Sequence, residues 1–261
     1  MKLRSAAVAV LTVGILVTGG IAGWRRLTSN PDALWTIVSD QCVPEARAGA
    51  ATNTCAKVDL DGGYAVLKDR NGIGQYLLIP TLRIAGIESP ELLKAGTPNY
   101  WRDAWEARHY VEQAVHARLE RDDIGLAINS SSGRSQNQLH IHVDCMRVDV
   151  RAALTAQQAK FSEQWTLLAT RLSGHAYRAR LITDAALRDT DPFRLLFDAI
   201  QRDGESMADQ TLLLTGTTLP DGKPAFILLS DHVKWGDTAS AEELLDHSCG
   251  VRKQRAVLAD R

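Results

Sequence analysis

From Gln138 to Cys145 the chain reads QLHIHVDC, with polar and apolar residues in strict alternation. Successive side chains of an extended strand point to opposite faces. Gln138, His140, His142 and Asp144 therefore share one face, and Leu139, Ile141, Val143 and Cys145 share the other. At 3.6 residues per turn the apolar set would be scattered around a helix. The segment is a strand with a core on its apolar side, so the fold must contain a sheet.

Alternation alone leaves three uses for the polar face open. It can face water. It can offer His140, His142 and Asp144 to a metal ion, since histidines on one strand face are common ligands. It can present one imidazole as a nucleophile. The preceding loop favours chemistry at phosphorus. Asn129 closes the strand before it, and Gly133, Arg134 and Ser135 lead into the histidines. Loop N–H groups, a hydroxyl and a guanidinium are suitable donors for phosphate oxygens.

Tyr64 to Lys68 (YAVLK) and Gln75 to Pro80 (QYLLIP), separated by the turn residues DRNGIG, form a plausible hairpin. From Asn99 to Arg121, Trp101, Trp105, Val111, Val115 and Leu119 recur near helical spacing, which predicts one amphipathic helix with His109 and His116 on its exposed side. Ile124 to Asn129 is a further strand. An antiparallel sheet with a helix on one face makes the class α+β. Past Asp149, a helix is expected from Val150 to Ala169, an extended stretch from Tyr177 to Ile182, a helix from Asp191 to Gln201, and strands at Gln210 to Leu214 and Ala225 to Leu229. The repeated order strand, helix, strand, strand predicts that 151–261 is a degenerate structural copy of 61–150, packed against it. Residues 27–60 then form an N-terminal segment and loop.

The N-terminus differs in kind. Lys2 and Arg4 precede an uncharged run from Ser5 to Trp24, which Arg25 and Arg26 follow. A helix of that length spans roughly 30 Å, the thickness of a hydrocarbon core. The expectation is a single membrane-spanning anchor over 1–26, with a cleaved signal peptide as its rival. Charge at the two ends favours an exported remainder. Cys42, Cys55, Cys145 and Cys249 match no zinc spacing. In an oxidising compartment the pairs would be Cys42 with Cys55 and Cys145 with Cys249; in the cytosol all four would stay thiols. Thirty basic against thirty-one acidic residues, with no basic run interleaved with aromatics, exclude a nucleic-acid binder.

GRSQNQLHIHV resembles the histidine-triad motif, in which histidines alternate with hydrophobic residues after a Gly-x-Ser loop. With GYAVLKDRNGIGQYLLIPTLRIAGIESP, LAINSSSGRSQNQLHIHVDC, GHAYRARLIT and SAEELLDHSC, the likeness narrows to membrane-anchored CDP-diacylglycerol pyrophosphatases and extends from about Leu34 to Cys249. That resemblance implies a HIT-like antiparallel sheet, a bacterial inner-membrane location with the catalytic part periplasmic, and hydrolysis of CDP-diacylglycerol to CMP and phosphatidate. It carries the nucleophile onto His140 and the last triad member onto His142. Gln138 stands at the first triad position, a departure that removes a titrating group there. Asn129, Gly133, Arg134, Ser135 and Gln138 are the phosphate-side candidates. No cofactor and no metal are implied, and the expected partners are the substrate and a lipid bilayer, with no obligate protein partner. Two other readings are a nucleotidyl transferase or hydrolase acting on other nucleotide diphosphates, and a metal-binding envelope protein using His140, His142 and Asp144.

Overall fold

The apolar, β-branched stretches of the sequence become strands wherever turn residues bound them. In the computed structural model, which describes residues 30–49 and 53–253, these are β1 Lys57–Asp59, β2 Tyr64–Lys68, β3 Tyr76–Pro80, β4 Ile124–Ile128, β5 Ile141–Cys145, β6 Thr166–Leu167, β7 Arg178–Thr183, β8 Gln210–Thr218 and β9 Pro224–His232. All pair antiparallel in one sheet of order β1-β2-β3-β5-β4-β8-β9-β7-β6.

This corrects the expectation of two HIT-like α+β halves packed together. The chain beyond 150 continues the same sheet, because β8 pairs with β4 through Gly125↔Thr215, Leu126↔Leu214, Ala127↔Leu213 and Ile128↔Leu212. The edge of β4 would otherwise leave N–H and C=O groups unpaired, and β8 satisfies them edge to edge. Among the described residues no helix is long and apolar enough to cross a membrane. The membrane-spanning helix and the single-pass inner-membrane placement are corrected accordingly. The segment 1–26 on which both rested, with Trp24, lies outside the described residues.

The helices are short: α1 Ala33–Ile37, α2 Val43–Arg47, α3 Tyr100–Glu106, α4 His109–Val115, α5 Val148–Gln157, α6 Asp184–Asp189 and α7 Pro192–Ile200. A π turn, Val38–Cys42, joins the first two. The single helix expected over 99–121 is two. The N–H groups of Tyr110 and Val111 reach back three residues, to Ala107 and Arg108, and this tighter turn re-aims the chain. The Arg108 guanidinium holds the Trp105 carbonyl and lies over the Trp105 ring at the same bend. His109 and His116 are exposed, as expected. The helix expected to Ala169 stops at Gln157, since Leu168 turns to donate to the Tyr177 carbonyl beside β7. Asp191 caps α7 by accepting from the Phe193 N–H, with Pro192 in the first turn.

One face of the sheet carries Leu78, Leu126, Ile141, Val143, Leu214 and Leu228 against Trp101, Trp105, Val111, Phe193 and Leu196 of the helices. The other face is covered at two places. Ala65, Leu77 and Ile79 pack on Val38, Cys42 and Val43, while Ala127, Leu213 and Leu229 pack on Val150, Leu154 and Leu244. His142 lies between those covers, opposite Leu77 on β3 and Ala127 on β4.

Both disulfides are formed, Cys42–Cys55 and Cys145–Cys249, with Cα atoms 5.6 and 5.2 Å apart. The first staples the N-terminal helices to the strand edge. The second fastens the end of β5 to a residue 104 positions later. A Cys145→Ala/Cys249→Ala double variant is expected to lose about 2–4 kcal/mol in urea unfolding, the usual effect of releasing a long loop. Unchanged unfolding would show that the covering segment holds without its staple.

Candidate active site

A cavity of about 400 Å³ opens on the histidine face. His140, His142, Asn129, Gly133, Ser135 and Glu242 form one wall, Leu34, Ile37, Leu67 and Leu77 an apolar one, and Lys68 at the end of β2 with Asp69, Arg70 and Asn71 of the turn after it the third.

His140 sits just before β5. Its Nδ1 is 2.7 Å from the Gln138 carbonyl oxygen. A carbonyl only accepts, so the proton is on Nδ1 and the lone pair on Nε2. Burial lowers its pKa and keeps the ring neutral. His142 stands edge-on to it, ring centroids 4.8 Å apart. The Gln75 amide nitrogen is 2.7 Å from His142 Nδ1 and faces the carboxylates of Asp69 and Glu242 at 3.2 and 3.4 Å. Those carboxylates fix the amide as the donor. His142 Nδ1 therefore accepts, and its proton lies on Nε2, buried with no hydrogen-bond partner. Burial, outweighing the pull of Glu242, pushes the His142 pKa down to about 3.

Behind these rings a charged chain extends. His247 Nδ1 lies 2.8 Å from Asp144 Oδ2, and its Nε2 lies 3.5 Å from Glu242 Oε1. The hydrogen bonds to Asp144 and Glu242 raise the His247 pKa to about 10, so it is an imidazolium. For Glu242, burial pushes upward, but His247, His142 and Asn129 together hold the carboxylate well below its ordinary range.

The phosphate-side candidates divide. Ser135 and Gly133 line the cavity. Gly133 lets the loop pack closely there, since a Cβ would meet the carbonyl oxygens of Thr238 and Ala239 at 3.0 Å. Asn129 also lines it, but its amide is engaged: Nδ2 donates to Glu242 Oε2, and Oδ1 accepts from Ser240 Oγ and the Glu242 N–H. The Arg134 guanidinium is committed to Glu88 through two bonds of 2.7 and 2.6 Å, so it pins the loop. Gln138 is fully buried, its amide nitrogen holding the Pro80 and Leu82 carbonyls. The metal alternative at His140, His142 and Asp144 is not matched: Asp144 turns to His247 and the Cys145 N–H, and the His142 Nδ1 lone pair is taken by the Gln75 amide.

Sequence reasoning missed Gln75, Glu242 and His247, and read Lys68 as the end of a strand and Asp69 to Asn71 as turn alone. One signal was present. Pairing Cys145 with Cys249 brings DHSC alongside β5, and so sets His247 near Asp144. The β2–β3 turn closes on the same residue: Gly72, at φ +71°, abuts His247, and Ile73 donates to the His247 carbonyl.

Replacing His247 by glutamine tests the charged chain. Because its folded pKa is raised from 6.5 to about 10, its ionic contribution is complete below pH 6.5 and disappears as pH rises through about 10. The stability gap between wild type and His247→Gln in urea unfolding is expected to be largest near pH 6 and to narrow steadily toward pH 10. A gap independent of pH would show that His247 is not held as a cation.

A family model for CDP-diacylglycerol pyrophosphatase matches residues 29–253 of the chain. A curated CDP-diacylglycerol pyrophosphatase from Yersinia pestis is 45% identical over 253 residues, which cover 96% of this chain and 96% of that protein. The matched stretch includes the histidine strand, the loop before it and the segment that carries Glu242 and His247. The chain belongs to the CDP-diacylglycerol pyrophosphatase family.

Proposed function

We propose that this chain, which hydrolyses the pyrophosphate bond of CDP-diacylglycerol as its family does, works through a covalent CMP–histidine intermediate on His140. The observation that carries this reading is the 2.7 Å contact from His140 Nδ1 to the Gln138 carbonyl. It leaves a neutral ring with its Nε2 lone pair available beside the cavity, as a nitrogen nucleophile requires.

Nε2 attacks the phosphorus bonded to the cytidine ribose. The Nε2–P bond forms, and the bond from that phosphorus to the bridging oxygen breaks. Phosphatidate departs with the bridging oxygen. Water then attacks the same phosphorus, the Nε2–P bond breaks, and CMP leaves with His140 restored. The departing phosphate monoester has a second pKa near 6, so it needs no strong acid to carry it away. Glutamine at position 138 is compatible with that: it orients His140 through its carbonyl and has no proton-transfer duty.

His142 offers its unpartnered Nε2–H to a phosphoryl oxygen, and Ser135 offers a hydroxyl. Phosphoryl transfer is promoted chiefly by placing such donors where charge resides. Arg70, on the turn lining the cavity, and Lys68 at the end of β2, its ammonium on the Asp69 and Gly72 carbonyls, supply positive potential there, whereas Arg134 is paired with Glu88. The apolar wall from α1 and β3 suits the lipid side of the substrate. Contact with a lipid bilayer belongs to the same proposal, since two acyl chains hold the substrate there.

Alkaline denaturing quench, in which a nitrogen–phosphorus bond survives, of the enzyme with substrate radiolabelled in the CMP moiety is expected to leave label on residue 140. His140→Ala should remove that label and lower kcat/KM on the order of 10⁴-fold or more. Ser135→Ala should lower it roughly 10²–10³-fold, in line with removal of one oxyanion donor. A His140→Ala enzyme with near-normal turnover would refute the covalent route.

A further inference from the structure

A second cluster of donors lies outside the histidine cavity. His175, in the bridge with Leu172 ahead of β7, meets Asp231 near the end of β9 and Asp237 in the turn beyond it. One ligand atom from each lies within 4.8 Å of the other two. His175 Nδ1 is 2.7 Å from Asp237 Oδ2 and 3.9 Å from Asp231 Oδ2.

Asp231 is what points to a ligand. Its side chain is 2% exposed. Oδ1 receives the Lys234 ammonium, but Oδ2 is buried, faces His175 and has no hydrogen-bond partner. An unsatisfied buried carboxylate oxygen is costly, and a cation is the simplest group to meet it. The surroundings match. Glu243 Oε2 lies 3.5 Å from His175 Nε2, and Glu243 Oε1 accepts from the Tyr177 hydroxyl at 2.9 Å. A carboxylate behind the distal nitrogen is how a metal-binding imidazole is oriented, leaving Nδ1 to the ion. Three carboxylates, Asp231, Asp237 and Glu243, converge here against one ammonium.

We propose that His175, Asp231 and Asp237 form a binding site for one divalent transition-metal cation, with Glu243 orienting His175 from behind. One imidazole and two carboxylates suit zinc or manganese better than magnesium or calcium, which favour oxygen alone. The remaining coordination positions belong to water.

The site's role is architectural. Asp237 Oδ1 accepts from the Ala239 N–H. The Thr238 and Ala239 carbonyls in turn hold Ser130, whose hydroxyl accepts from the Gly133 N–H. Glu243 directly follows Glu242. An ion at His175 thus fixes the strand-to-turn segment on which both the phosphate loop and Glu242 rest, without touching the substrate.

The full chain is stripped with chelator, dialysed against excess zinc or manganese chloride and desalted, and its metal is counted by mass spectrometry. Wild type and His140→Gln are expected to keep about one ion per chain, while Asp231→Asn and His175→Ala keep less than about a tenth of that. Zinc should raise the wild-type melting temperature but not that of either variant. His175 is partly exposed, so His175→Ala stands as the test if Asp231→Asn folds poorly; circular dichroism of each metal-free variant decides that. Absence of retained metal in wild type, or equal retention in His175→Ala, overturns the proposal. So does metal lost on His140→Gln, which would place the ion on the catalytic strand.

Discussion

The backbone pairing of β4 with β8 is the contact on which everything else in this molecule depends. Four residue pairs join the strands that precede and follow the long middle of the chain. Through them the later strands become an extension of the histidine sheet. The consequence is positional: the chain after β9 runs along the histidine strand, with Asn129 bridging Ser240 ahead of the Gly133 loop and Met146 bridging Leu245 just past β5. Glu242 and His247 arrive over the histidine strand by that route. Neither could be delivered by a second layer stacked on the first.

Their arrival solves a polar-burial problem. Gln75, Gln138, His140, His142 and Asp144 are all buried. Groups of this kind are tolerated when they hydrogen-bond one another. Here a chain from Gln75 through His142 and Glu242 to His247 and Asp144 satisfies nearly every member, with the formal charges alternating between carboxylate and imidazolium. Besides the Oε1 atoms of Gln75 and Gln138, one unpaired atom is informative. His142 Nε2 has no protein partner, and it lies next to the one imidazole whose lone pair is also uncommitted. A free ring N–H on His142 beside a free ring lone pair on His140 is an arrangement suited to a phosphoryl group.

Local pattern made much of this legible. Alternation marked β5, the LLIP run marked β3, and Asp191-Pro192 marked the start of α7, because each depends on residues close in sequence. The Gly-x-Ser loop and His140 were legible for the same reason. What escaped depends on distant partners. The break at Ala107–Arg108 comes from Trp105 and Val111 both seeking the core, which periodicity alone does not reveal. The β4–β8 edge pairing leaves no local mark, and so two repeated strand orders suggested two bodies. Arg134 looked like a phosphate ligand until Glu88, 46 residues earlier, claimed it. Glu242 and His247 lay in a polar stretch with no periodicity; only the cysteine two residues past His247 hinted where they belonged.

The covering segment also sets an order of events. The segment that orients and neutralises the polar face of the histidine strand is tied to β5 across a separation of 104 residues, so it leaves the ribosome after that strand. A nascent chain that has already paired β3, β4 and β5 holds His140 and His142 but not the Glu242 carboxylate beside them, nor the cysteine that locks that segment. Translation therefore imposes a delay between building the buried imidazoles and completing the polar network around them, and a chain clipped before position 242 would leave that network open.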